Sequence, residues 1–77
     1  MVAAVLEYLA KSLVSEPDAV QVEEVQNGSV VSLRLSVAPE DMGKVIGRGG
    51  RIVRAIRDVV RAAATRDGLS VTVEIVE

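Results

Sequence analysis

Cysteine and histidine are absent from this 77-residue chain, and their absence removes most kinds of reactive site. Without cysteine there is no disulfide framework, no thiolate nucleophile and no cysteine-based zinc or iron–sulfur centre. Without histidine the chain lacks the usual general base and the commonest metal ligand. Only carboxylates remain for acid–base chemistry, so we predict a protein without a metal, a cofactor or catalytic activity.

Long apolar runs are also missing. None approaches the roughly 20 residues that span a membrane, so we predict no membrane segment. The apolar start of the chain, residues 1–14, lacks a basic stretch at its front and contains Glu7 and Lys11. We therefore predict that this segment is folded protein and not a signal peptide, and we expect a soluble cytoplasmic protein.

The length of the chain bounds its architecture. Seventy-seven residues lie near the lower limit at which one hydrophobic core offsets the loss of chain entropy, so we predict a single domain over residues 1–77. An apolar content of 49% is high for a domain this small, whose surface is large relative to its core. This excess favours self-association through a helix face.

The first predicted element is an amphipathic helix over residues 1–14. Glu7 and Lys11 lie on its polar side and form an i,i+4 pair. Its apolar face is predicted to consist of Val2, Val5, Leu6, Leu9 and Leu13.

A hairpin is predicted next. Residues 19–26 form a short strand, with a bulge or an early end at 23–25 where the alternation breaks. The pair Asn27-Gly28 favours a type I′ turn, because both residues tolerate positive φ. Residues 31–37 then alternate strictly between apolar and polar side chains, which predicts a strand with one buried face.

The second half is predicted to hold two helices and a last strand. Pro39 and an apolar i, i+3, i+4 stripe indicate a short helix that runs to about Ile46. Three glycines within residues 47–50 interrupt it. A longer helix over about 51–67 and an alternating strand over 69–75 follow. The predicted apolar face of the longer helix consists of Ile52, Ile56, Val59, Val60 and Ala63.

The resulting order is α-β-β-α-α-β. A two-helix crossover between the second and third strands favours a parallel pair with a right-handed connection, whereas the first two strands form an antiparallel hairpin. We therefore predict an α+β fold in which a three-stranded mixed sheet is covered on one face by three helices.

Charge is distributed unevenly along this chain. A net charge of −2 by itself argues against a nucleic-acid partner. Residues 44–66, however, hold seven basic side chains and one acidic one, a local charge of +6, whereas the rest of the chain carries two basic and ten acidic residues, −8. The small net charge therefore hides a strongly basic segment. Its basic residues are Lys44, Arg48, Arg51, Arg54, Arg57, Arg61 and Arg66.

The basic segment begins with a glycine-rich stretch. Gly47, Gly49 and Gly50 let a ligand approach the backbone, and the start of the following helix favours an anion, which predicts phosphate binding. A nucleotide P-loop would need lysine and a hydroxyl residue after Gly50, where Arg51 and Ile52 stand. A dinucleotide fingerprint would need glycine or alanine at position 52 and a strand directly before it. Both nucleotide motifs are excluded.

Residues 45–52, Val-Ile-Gly-Arg-Gly-Gly-Arg-Ile, resemble the V-I-G-x-x-G-x-x-I signature of KH domains. In such domains a GXXG loop between two helices clamps a short stretch of single-stranded RNA or DNA backbone. The predicted element order matches the type II, bacterial arrangement. In size and layout the chain is similar to the small bacterial single-KH proteins, the KhpA-like family, and the resemblance covers the whole chain.

The resemblance implies a set of RNA-binding residues. Gly47 and Gly50 would be the fixed glycines, and Arg48 and Gly49 the variable pair that faces the backbone. Gly49 departs from many such loops, which carry a polar or basic residue there. An apolar groove would draw on residues before and after the loop and on the final strand near Val71 and Val73. The full predicted set is Lys44, Val45, Ile46, Gly47, Arg48, Gly49, Gly50, Arg51, Ile52 and Arg54.

Three arginines of the longer helix form a stripe. Arg54, Arg57 and Arg61 fall within about 60° of each other, opposite the predicted apolar face. A charged stripe of this kind is usually a solvated face. We predict direct RNA contact for Arg54 at most, and long-range attraction of RNA by Arg57 and Arg61.

Two functions stay open on this evidence. The first is non-catalytic binding of single-stranded RNA, as a post-transcriptional regulator or RNA chaperone. The resemblance implies a homodimer, and a larger KH-containing protein of the Jag type as a further partner. Tyr8 is the only aromatic residue, which disfavours folds that stack bases on aromatic rings. The second is a KH-fold interaction or dimerisation module that acts mainly as a scaffold for a partner protein.

Overall fold

The structure is a computed structural model, and it describes residues 2–76. Three helices and three strands are found in this range, in the order α-β-β-α-α-β that the sequence predicts. The helices are α1 (Val2–Leu13), α2 (Met42–Ile46) and α3 (Arg51–Arg66), and the strands are β1 (Gln21–Asn27), β2 (Val30–Ser36) and β3 (Ser70–Ile75). Short 3₁₀ turns cover Pro17–Ala19, Pro39–Asp41 and Arg48–Gly50.

The sheet has the strand order β1-β2-β3. β1 and β2 are antiparallel, and β2 and β3 are parallel, with the helices α2 and α3 in the crossover between them. The predicted mixed sheet is therefore confirmed, and the arrangement is that of a type II KH fold. β2 is the central strand, and β3 is an edge strand.

The hairpin differs from the prediction in two ways. β1 pairs with β2 in an unbroken register from Gln21 to Asn27, so the predicted bulge or early end at residues 23–25 is wrong. Because Asn27 already pairs with Val30, the two-residue turn is Gly28-Ser29. Within the described range only glycines have positive φ, and Gly28 has φ 60°. Positive φ at the first turn position alone is the type II′ pattern, not type I′.

The core lies between one face of the sheet and the three helices. Val31, Leu33 and Leu35 of β2 are almost fully buried, because alternate residues of this strand point towards the helices. The opposite face is polar, and on it Arg34 pairs with Glu23 of β1 at 3.8 Å and with Glu74 of β3 at 3.4 Å. The helices contribute Val2, Leu6, Ala10, Val45, Ile56, Val60 and Ala64 to the core.

The buried faces of the helices are rotated from the predicted ones. In α1, Ala10 is fully buried, whereas Leu13 is exposed at the end of the helix. In α3, the buried side chains are Val53, Ile56, Val60 and Ala64, whereas Val59 is half exposed. The sheet and α1 together cover more than one stripe of α3. A helical wheel drawn from the sequence therefore does not show which stripe of side chains is most deeply buried. The predicted Glu7–Lys11 pair is present at 3.0 Å.

No helix within residues 2–76 combines the length and the apolar character that a membrane crossing needs.

Candidate nucleic-acid interface

The loop between α2 and α3 depends on three glycines with positive φ. Gly47 has φ 75° and ψ 168°, a conformation that is essentially limited to glycine. A Cβ atom on Gly47 would lie 2.6 Å from Cγ1 and 2.9 Å from the backbone nitrogen of Ile52. Gly49 and Gly50 have φ 64° and 75°, and the space around a Cβ at Gly49 is open. Gly47 is therefore required by both conformation and packing, whereas Gly49 is required by conformation alone.

The hydrogen bonds of the loop leave its two middle residues unused. The N–H of Gly47 donates to Gly43, that of Gly50 to Gly47 and that of Arg51 to Arg48. Within residues 2–76, the N–H groups of Arg48 and Gly49 donate to no carbonyl of the loop. Both residues are exposed, and no side chain caps the start of α3. Adjacent free N–H groups just before a helix are a feature that favours an anion.

The arginines near the loop are not neutralised by acidic side chains. In the described part of the chain, the ion pairs of basic residues involve Lys11, Arg34 and Lys44. None of the arginines of the basic segment has a carboxylate within salt-bridge distance in that range. Arg48, Arg51 and Arg54 are exposed around the start of α3. The positive field predicted from the sequence therefore stays uncompensated around the loop.

Lys44 differs from these arginines, because it is held by Asp41. Asp41 is completely buried, and its carboxylate accepts hydrogen bonds from the N–H groups of Ser15 and Glu16, both at 3.1 Å. Lys44 lies 3.4 Å from the same carboxylate and donates to the hydroxyl of Ser15. These backbone hydrogen bonds, helped by Lys44, hold the pKa of Asp41 below its usual value of 3.8. The charge of Lys44 is therefore partly offset, and this residue contributes less to phosphate attraction than its position suggests.

The apolar groove predicted from the sequence is not a single surface. Val45 has no exposed surface, and Val71 and Val73 point into the core, so these three side chains form no wall of an open groove. Their contribution is to support the fold behind the site. Ile46 and Ile52 are partly exposed, but they lie in two different clefts.

The first cleft lies beside α2 and the end of β3. It measures about 380 Å³, and its walls combine Ile46 and Met42 with Val76. The second measures about 300 Å³ and lies between α1 and α3. Ile52 belongs to this second cleft, which is lined by Leu9, Leu13, Arg51, Ile52, Ala55, Ile56 and Val59. Of the two predicted apolar residues, Ile46 therefore lies next to the ends of β2 and β3, and Ile52 lies next to α1.

Arg57 is placed differently from the prediction of a solvated stripe. Its side chain is half-buried between α3 and β3, and its Nε donates a hydrogen bond of 3.2 Å to the carbonyl oxygen of Val73. Arg54 and Arg61, on the same side of α3, are exposed. The angular position of the three residues differs by about 60° at most, so the helical wheel does not separate them. The sequence carried no signal that singled out Arg57.

The loop, the basic segment and the fold coincide in one known family. The family model for the KH domain of KhpA and KhpB matches residues 3–75 of the chain. The chain belongs to the KhpA/KhpB KH-domain family.

Individual members of this family are similar over nearly their whole length. The RNA-binding protein KhpA of Clostridium acetobutylicum is 58% identical over 71 residues, which cover 92% of this chain and 95% of that protein. The RNA-binding protein KhpA of Caldanaerobacter subterraneus is 53% identical over 68 residues, with coverages of 88% and 91%. KhpA of Chlamydia trachomatis is 42% identical over 72 residues, with coverages of 94% and 92%.

Solved structures show the same fold inside a larger protein. Era in complex with MgGDPNP and nucleotides 1506–1542 of 16S ribosomal RNA matches with a TM-score of 0.71 and 20% identity. The match covers 96% of this chain and 28% of that chain. Aquifex aeolicus Era Y63A bound to GDP.AlF4⁻ matches with a TM-score of 0.68, 19% identity and coverages of 96% and 29%. At this identity the likeness concerns the fold alone.

Proposed function

We propose that this protein binds single-stranded RNA without catalysis, with the Gly47–Gly50 loop as the phosphate clamp. The observation that carries the proposal is the pair of free N–H groups at Arg48 and Gly49, which lie at the start of α3 among unpaired arginines. Free N–H groups and an uncompensated positive field together suit a phosphodiester backbone. Membership in a family whose relatives are named RNA-binding proteins supports this choice of ligand.

The expected bound length follows from the KH fold. One KH domain holds about four nucleotides, so a single copy binds RNA with modest affinity and modest selectivity. A protein with these properties suits a post-transcriptional regulator or an RNA chaperone that meets many transcripts in the cytoplasm. Arg48, Gly49, Gly50 and Arg51 would contact the backbone, and Ile46 would face a base in the cleft beside β3.

The double variant Arg48→Asp, Gly49→Asp tests the phosphate clamp. It reverses the charge at the loop and places carboxylates where phosphates would lie, so RNA affinity falls by about tenfold or more. Space around position 49 is open, and aspartate tolerates the left-handed conformation, so the variant folds. Fluorescence anisotropy with a single-stranded oligonucleotide measures the affinity.

A matched control for this variant is Lys11→Asp, Ser12→Asp in α1. It changes the net charge by the same amount on exposed residues outside the basic segment. If RNA affinity depends on charge at the loop and not on the net charge of the protein, this control variant retains most of its RNA affinity. Equal losses in the two double variants, or unchanged affinity in the loop variant, would contradict the proposed clamp.

We also propose that two copies associate through the cleft between α1 and α3. This surface is almost entirely apolar and continues into Leu13 and Val59, which are exposed although they are large hydrophobic residues. A second copy would cover them, and the same surface suits a larger KH-containing partner of the Jag type. Dimerisation would bring two loops to one RNA and raise its avidity.

The exposed apolar cleft also favours the alternative function, a KH-fold module that acts mainly as a scaffold for a partner protein. Salt dependence separates the two functions. Binding through phosphate contacts weakens steeply between low and high salt, whereas association through an apolar interface hardly changes. The scaffold function would be favoured if RNA binding is weak already at low salt and does not change as the salt concentration rises, while the protein associates tightly with itself or a partner.

A further inference from the structure

Arg57 is the arginine of the basic segment that the fold fixes in place. Its Nε donates to the carbonyl oxygen of Val73, and its stem is half-buried between α3 and β3. Within residues 2–76, β3 has no neighbouring strand on its outer side, so its outward carbonyl groups lack a partner in the sheet. Arg57 satisfies one of these groups, and in doing so its guanidinium is held against the sheet edge.

The hydrogen bond to Val73 uses one of the five N–H donors of the guanidinium. The two terminal nitrogens keep four donors in a rigid planar fork. Within residues 2–76 they have no carboxylate within salt-bridge distance and no hydrogen-bond acceptor. A fixed arginine loses little side-chain entropy when it binds a ligand, so this fork is preorganised for a partner with two acceptors.

The position of Arg57 relative to the loop suits a base better than a phosphate. Arg57 lies six residues after the start of α3, about 9 Å along the helix from the phosphate clamp. The cleft of Ile46 and Met42 lies near the end of β3, Arg57 binds the carbonyl of Val73 within the strand, and Arg61 lies beside Ser70 and Val71 at its start. An RNA strand whose phosphate backbone is held at the Gly47–Gly50 loop would therefore place a base at the edge of the sheet, next to Arg57.

We propose that Arg57 recognises one base of the bound RNA, and that it selects bases with two adjacent hydrogen-bond acceptors. Guanine offers N7 and O6, and cytosine offers N3 and O2, whereas adenine presents an acceptor beside a donor. Uracil has its acceptors separated by the N3–H donor. This inference rests on the proposed RNA-binding function, and it adds a source of base preference to a site whose other polar contacts go to phosphates.

Four single-stranded octamers test the inference: alternating sequences of uridine with guanosine, cytidine or adenosine, and uridine alone. The wild-type protein binds the guanosine or the cytidine octamer about fivefold or more tightly than the other two. The comparison between guanosine and cytidine shows which of the two acceptor pairs fits the fork. In Arg57→Lys, which keeps the charge but lacks the planar fork, this preference disappears, and the affinity for the uridine octamer changes little.

The matched control is Arg61→Lys on the same side of α3, because Arg61 has no hydrogen bond to the sheet in the described range. It keeps the base preference of the wild type. Circular dichroism melting confirms that both variants fold, and Arg57→Gln provides a second test if the lysine variant melts early. Equal binding of all four octamers by the wild type overturns base recognition by Arg57, and so does an unchanged base preference in Arg57→Lys. Neither result contradicts the proposed RNA-binding function. If Arg57→Lys loses the same factor of affinity for all four octamers, Arg57 contacts a phosphate, and this result also overturns base recognition by Arg57. No binding of any octamer overturns the RNA-binding function itself.

Discussion

At the scale of single residues, the glycines of the loop are not equivalent. Gly47 combines a glycine-only conformation with close contact to Ile52, whereas the surroundings of Gly49 are open. The difference matters for function, because position 49 can be changed to probe RNA binding without disturbing the junction of α2 and α3. Position 47 holds that junction together.

Substitution of these two glycines by alanine separates packing from conformation. We expect Gly47→Ala to lower the free energy of unfolding by about 2–4 kcal/mol, because its Cβ meets the side chain and backbone of Ile52. Gly49→Ala adds only the cost of a left-handed conformation, about 1–2 kcal/mol. Urea unfolding followed by circular dichroism measures both values. Equal destabilisation by the two substitutions would show that the contact with Ile52 is not the cause.

At the scale of elements, Asp41 joins the start of α2 to the segment that follows α1. Its carboxylate binds the N–H groups of Ser15 and Glu16, which are distant in sequence. α2 has only five residues, too few to be stable alone, so its orientation depends on contacts of this kind. Asp41 therefore helps to hold the loop at the end of α2 in position, although it does not face the proposed RNA site.

We expect Asp41→Asn to lower the urea midpoint, because an amide cannot accept both N–H groups and loses the ion pair with Lys44. The pKa of Asp41 is below 3.8 in the folded protein. Its contribution to stability is therefore complete at pH values well above 3.8 and is lost as the pH falls through the folded pKa. The difference in stability between the wild type and Asp41→Asn should be constant at neutral pH and shrink in acid.

Asp58→Asn is the control for this pH series, since Asp58 is exposed and has no ion pair within the described residues. It should leave the urea midpoint nearly unchanged. Glu16 and Glu40 also respond to acid, because a hydrogen bond between their carboxyl groups raises the pKa of Glu16 and lowers that of Glu40. They are present in all three proteins, but the charge of Asp41 also acts to raise the pKa of both groups, so the difference between wild type and Asp41→Asn reports Asp41 together with this effect. A difference that persists unchanged in acid would contradict the role of its charge.

At the scale of the whole molecule, α3 presents different surfaces on different sides. Arg57 and Arg61 lie towards the edge of β3, whereas Arg51 and the exposed apolar residues line the cleft towards α1. RNA and a second protein copy would therefore use different sides of the same helix and could be bound together. On the opposite, polar face of the sheet, the acidic Glu23 and Glu74 pair with Arg34.

The dimer interface is tested by Val59→Asp, which places a charge in the apolar cleft. Burial of an unpaired carboxylate is costly, so we expect dimer affinity to fall by about tenfold or more. Val25→Asp is a matched control, because Val25 is 58% exposed on the polar face of the sheet and Val59 is 50% exposed in the cleft. Light scattering over a range of concentrations measures the mass. A wild-type protein that stays monomeric at high concentration would contradict the interface.

Much of the fold was predictable because local patterns and tertiary packing agree. The alternation in β2 and β3 corresponds to one buried and one exposed face, and the glycines at 47–50 end α2 where positive φ is needed. The type of hairpin turn was not predictable in this way. Asn27-Gly28 and Gly28-Ser29 both suit a two-residue turn, and only the register of β1 against β2 decides between them.

The sequence by itself determined the order of elements, the glycine loop and the basic segment around it, because each depends on residues that are close together in the chain. The mixed sheet followed from that order, because a two-helix crossover favours a parallel pair. Tertiary structure decided which side chains of that segment are available. Val45 is buried against the sheet, Lys44 is held by Asp41, and Arg57 is fixed to Val73, while Ile46 and Ile52 face different clefts. Neighbouring positions on a helix differ little in their local pattern, and what each one contacts depends on elements that are distant in sequence.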